Sequence, residues 1–78
     1  MARILEGKNN ITGENIKKLR IKARLSQQQL SDRLETMAVY VCRGSLSRIE
    51  NGERTVTDME VEAIARALDV PLAALFKR

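Results

Sequence analysis

The chain has 78 residues, enough for one domain and too few to enclose a catalytic cavity beside a sizeable core. It holds no histidine and a single cysteine, Cys42, so no metal cluster, Cys/His pair or Ser/His/Asp set can be assembled, and no enzyme, cofactor or metal is expected. Fourteen Lys and Arg against ten Asp and Glu give a net charge of +4, carried at the front: eleven basic and six acidic residues through Val56, three and four after it.

Residues 1–11 read as an N-terminal arm, since Gly7-Lys8-Asn9-Asn10 is turn chemistry without periodicity, and residues 12–78 form the domain. The first helix is expected from Thr12 as its cap, with Ile11 and Ile16 as a hydrophobic staple. Ile16, Leu19 and Ala23 mark its inner face, and Leu25 closes the segment. Ser26 caps the second helix, with Gln29 as its capping-box partner, and Leu30, Leu34 and Met37 give that helix one apolar face to about Met37.

The third helix, about 43–51, turns Leu46 and Ile49 inward and stops at Gly52. Arg43, Gly44, Ser47 and Arg48 therefore lie on its remaining surface. Thr57-Asp58-Met59-Glu60 is a second capping box, opening a fourth helix with Val61, Ile64, Ala65 and Leu68 buried. Pro71 opens a short fifth helix, from which Leu72, Leu75 and Phe76 can fold back onto the core. The spacing is helical throughout, and an all-α five-helix bundle is expected.

Two segments narrow this outline. Leu25-Ser26-Gln27-Gln28-Gln29-Leu30-Ser31, followed by Leu46-Ser47-Arg48-Ile49-Glu50-Asn51-Gly52-Glu53-Arg54, closely resembles the Cro-type (XRE) helix-turn-helix family of phage-repressor-like proteins. The later Ile64-Ala65-Arg66-Ala67-Leu68-Asp69-Val70 through Leu75-Phe76 is similar to that family's last two helices, so the likeness runs over about residues 13–76. It implies that the second and third helices form the helix-turn-helix and that the third enters the major groove of double-stranded DNA.

Carried over residue by residue, the resemblance implies that Gln27 touches the DNA backbone and braces the third helix. It makes Arg43, Gly44, Ser47 and Arg48 the groove-facing positions, and sets Asn51 and Arg54 at phosphates. Arginine suits this role because it can pair with guanine O6 and N7 together. The resemblance also implies an internal pair of Arg20 with Glu50, which removes both from the DNA-reading set. Ser31 stands where the family has alanine, small enough for the two helices to approach.

The chain departs from the family pattern between Leu34 and Leu46, where extra residues centre on Thr36-Met37-Ala38-Val39-Tyr40. They are expected to extend the second helix and then descend in an extended stretch that buries Val41. Tyr40 has two open readings, a cover for the core edge or a hydroxyl reaching the DNA backbone. Cys42 replaces the usual serine cap, and a thiol at a helix N-terminus beside Arg43 is expected to have a lowered pKa. Glu53 stands at an often basic position, and Gly44 removes one reader of bases.

Two functions from different classes follow. One is a sequence-specific transcriptional repressor acting as a homodimer, with Val70, Pro71, Leu72, Leu75 and Phe76 offering the dimer surface. The other is an antitoxin-type module that holds a partner protein as well as DNA. No apolar run reaches the ~18 residues of a membrane span, Met1 to Glu6 has no signal-peptide stretch, and a lone cysteine suits a reducing compartment. A cytoplasmic protein away from membranes is expected.

Overall fold

The computed structural model describes residues 11–77. Among these there are four α-helices and no strand: α1 (Ile11–Lys22), α2 (Gln27–Thr36), α3 (Arg43–Glu50) and α4 (Asp58–Leu68), followed by a 3-10 helix (Leu72–Phe76). The expected fifth α-helix is thus corrected. Pro71 precedes the 3-10 turn as its cap, and Ala74 N–H donates to the Pro71 carbonyl at 2.9 Å, an i→i+3 bond. A 3-10 turn closes with i→i+3 bonds within this short segment and seats Leu75 fully in the core. No helix among the described residues is long and apolar enough to cross a membrane.

The core gathers Ile16, Leu30, Leu34, Val41, Leu46, Ile49, Val56, Val61, Ile64, Leu68 and Leu75 with the alanines of α4. Helix α1 lies against α3 and the 3-10 helix, while α2 packs on both α3 and α4. Polar ties lock these contacts. Asn15 Nδ2 donates to the carbonyls of Leu75 (2.9 Å) and Lys77 (2.7 Å), holding the last turn on α1. Arg33 Nη1 donates to the Ala67 carbonyl (2.9 Å), placing a cation where the end of α4 carries partial negative charge.

Both expected capping boxes are present. Ser26 Oγ accepts from Gln29 N–H while the Gln29 side chain accepts from Ser26 N–H, and Thr57 and Glu60 do the same for α4. Thr12 is not a cap: it lies within α1, fully buried, and its hydroxyl finds no partner among the described residues. Ile11 is itself helical, so it does not stand ahead of a Thr12 cap as the expected staple residue, and the rest of the expected arm, residues 1–10, lies outside the described residues.

All four helices end in the same way, and three do so without glycine. Arg24, Ala38 and Asp69 take left-handed φ values of 62°, 62° and 58°, against 78° at Gly52. The residue after each donates back to the last turn: Leu25 to Arg20, Val39 to Leu34, Val70 to Ala65 and Glu53 to Arg48, at 2.7–3.1 Å. Leu25, Val39 and Val70 pack against the core, so apolar burial offsets a left-handed strain of about 1–2 kcal/mol per residue. Glu53 is exposed and brings no such burial. That end alone uses glycine.

Helix α2 takes in Thr36 with Met37 as its C-cap, within a residue of its expected end, and the extended stretch after it buries Val41 as expected. Met37 is exposed rather than inward, and Ala38 reverses the chain. Ala23 likewise sits outside the core. Of the five residues expected at a dimer surface, Leu75 is core and Val70 packs against it, while Pro71, Leu72 and Phe76 are exposed.

Candidate nucleic-acid interface

Helix α3 presents two unlike faces because of where its apolar residues fall. Leu46 and Ile49 are fully buried and Glu50 nearly so. Arg43, Gly44 and Arg48 are exposed and Ser47 half-buried on the outer side. A step of four residues stacks Arg43 over Ser47 and Gly44 over Arg48, giving two adjacent columns. Gly44 has no need of its glycine inside the chain: an added Cβ would meet nothing within 4 Å. A glycine within a helix costs about 0.5–1 kcal/mol against alanine, so its bareness leaves the outer face open to close approach.

The helix is held from behind by a buried ion pair. Arg20 Nε donates to Glu50 Oε2 at 2.7 Å and Arg20 Nη2 to Oε1 at 3.0 Å, as the resemblance implied. Arg20 Nη1 also donates to the Leu25 carbonyl (2.7 Å), at the turn entering α2. Gln27 Nε2 completes the cluster by donating to Glu50 Oε1 at 3.1 Å. Its expected bracing of the third helix is therefore a direct bond. Ser31 Oγ donates to the Val41 carbonyl (2.8 Å), fixing the start of α3 on α2.

Asn51 is exposed as the C-cap of α3, with its backbone N–H turned back to Ser47 and Ile49. Arg54 is not extended into solvent. Its guanidinium pairs with Glu60 through two bonds, Nη1 to Oε1 at 3.1 Å and Nη2 to Oε2 at 2.9 Å, and Nη1 also reaches the Thr55 carbonyl. That guanidinium holds the Glu60 carboxyl below its ordinary pKa, against the opposing effect of burial, and Glu60 in return raises Arg54. Glu60 was legible as a capping-box residue; its second role was not, although opposite charges flanking a helix cap are a signal for it.

Cys42 caps α3 by position only, with no side-chain bond to the first-turn amides. Its exposed thiol lies 3.5 Å from Ser45 Oγ, and contact with that hydroxyl and with the Ser45 and Gly44 amides, rather than Arg43, lowers its pKa. Tyr40 does not cover the core edge: its side chain is exposed, and it borders an open cleft of about 330 Å³ with Ser31, Glu35, Val41, Cys42 and Ser45. Among the described residues no group of acidic or cysteine side chains could hold a metal ion.

A rigid helix with a bare, basic outer face, set against a second helix whose N-terminal amide braces it, is an arrangement for entering a groove in a polyanion. Comparison with known proteins agrees in kind. A family model described as helix-turn-helix matches residues 16–75, which spans all of α2, α3 and α4. No curated protein matches the chain.

Proposed function

The chain belongs to the Cro-type (XRE) helix-turn-helix family of DNA-binding regulators, and we propose that it is a sequence-specific repressor that reads double-stranded DNA with α3. Arg43 and Arg48 pair with guanine edges in the major groove, and Ser47 donates to or accepts from an adjoining base. Gly44 lets the helix backbone approach. Gln27, Asn51 and Arg54 sit along the phosphates, where contacts set register without reading sequence. The observation that carries this reading is the exposed Arg43, Gly44 and Arg48 on a helix pinned from behind by Arg20 and Glu50. Occupying a promoter-proximal site then blocks transcription.

We further propose that two copies bind a two-fold operator. One short helix reads too few base pairs to compete with the nonspecific sites of a genome, and doubling the contact supplies the missing selectivity. The exposed Pro71, Leu72 (48%) and Phe76 (38%) supply an apolar surface for pairing, in the near-neutral part of the chain. Half-sites then lie about 34 Å apart on one face of the duplex.

Selection of bound duplexes from a random pool tests both statements. Recovery of a palindromic consensus, with two chains per duplex by sedimentation, is the expected result. A consensus bound by one chain removes the dimer alone, while the absence of any consensus removes sequence-specific regulation.

A further inference from the structure

Tyr40 stands where nothing inside the fold requires an aromatic ring. Between the left-handed stop at Ala38 and the start of α3, burial alternates: Val39 packs on the core, Val41 is buried, and Tyr40 between them is 76% exposed. This in-out-in pattern is that of an extended chain, so the two valines turn Tyr40 outward. The stretch is pinned on both sides of the ring. Val39 N–H donates to the Leu34 carbonyl at 3.0 Å, and Ser31 Oγ donates to the Val41 carbonyl at 2.8 Å. The phenol is thereby carried by a fixed backbone rather than by a loose loop.

Its place is the leading end of α3. Tyr40 precedes Arg43 by three residues and shares the cleft with Cys42 and Ser45, the cap and the first turn of that helix. In groove docking the N-terminal residues of the recognition helix meet base edges. The segment just ahead of them faces the sugar-phosphate wall beside the groove, where hydroxyl donors bind backbone oxygens.

We propose that Tyr40 is a DNA contact, its phenol hydroxyl donating to a backbone phosphate oxygen next to the groove entered by α3. This rests on the groove reading above. It gives the longer connection between α2 and α3 a purpose: the added residues carry a hydroxyl donor out to the phosphate backbone without disturbing the core. Because the side chain carries no charge, the contact positions the protein but releases no counterion.

Tyr40→Phe tests it, since the variant keeps the ring, removes only the hydroxyl, and alters an exposed position. Its affinity for a duplex recovered by selection and for mixed-sequence duplex should fall by the same factor, about tenfold, as for loss of a hydrogen bond to a charged group. The slope of log affinity against log salt should stay that of the native chain, because no phosphate neutralisation is lost. The chain has one tyrosine and no tryptophan, so native fluorescence reports on Tyr40 alone and should change when duplex is added. If Tyr40→Phe binds as tightly as the native chain, or the fluorescence is unmoved, the assignment of Tyr40 is overturned. Loss of base preference in Arg48→Ala under the same conditions shows that the groove reading survives that result. If the native chain binds no duplex, both fall together.

Discussion

Glu50→Ala should cost about 3–5 kcal/mol of folding stability, because it strands the Arg20 guanidinium in the core. Arg20 is 8% exposed and Glu50 5%, and the pair shares two hydrogen bonds. A domain of this length holds about 4–12 kcal/mol in all, so the variant approaches the edge of folding. The other Arg20 bond, to the Leu25 carbonyl, cannot neutralise the charge, and Gln27 loses its acceptor on α3. The double variant Arg20→Met with Glu50→Met should recover most of the loss, since an apolar pair of similar volume removes the unpaired charge. Urea unfolding of the three proteins decides it. A single variant with a native midpoint, or a double variant no better than the single, shows that the pair does not hold α3.

Arg48→Ala should weaken binding to the preferred duplex by about 1–3 kcal/mol and relax the preference at particular base pairs, as expected for the loss of a bidentate pair with guanine. The side chain is exposed on the outer face of α3, so truncation leaves the core intact. Arg43→Ala should act in the same way at a different position of the site. Arg54→Ala is the contrast. A phosphate contact carries no sequence information, so its loss should lower affinity for all duplexes alike. It also releases Glu60 from its two bonds, so folding of that variant is measured alongside. Equal loss of preference in Arg48→Ala and Arg54→Ala would place both on the phosphates and take α3 out of the groove.

The parts of this fold that follow short-range rules could be read from the residues. Ser26 with Gln29 and Thr57 with Glu60 declare two helix starts, because side chain and backbone satisfy each other within four residues. The inward Leu46 and Ile49 were legible from spacing, and with them the outer face of α3. The pair of Arg20 and Glu50, thirty residues apart, came from the family likeness and not from any local signal.

What escaped the residues depends on tertiary burial. Arg24, Ala38 and Asp69 stop their helices without glycine because the apolar residue after each reaches the core. That energy is not visible in the terminating residue itself. The turn at 72–76 tightens into a 3-10 helix because Leu75 must seat within a few residues of Pro71. Tyr40 kept two readings until the inward turn of Val39 and Val41 fixed its direction. Arg54 carries a single charge whether it meets a phosphate or Glu60, and only the geometry of the turn after α3 reveals the second partner.

We propose that the outer face of α3 meets duplex DNA and that positive side chains bring it there. Affinity of the native chain for its selected duplex and for mixed-sequence duplex, measured across a salt series, tests this most directly. Both affinities should fall with a log–log slope of about −0.9 per phosphate neutralised, with the selected duplex tighter at every salt concentration. An affinity that does not change with salt, or no affinity for duplex DNA at all, would contradict it.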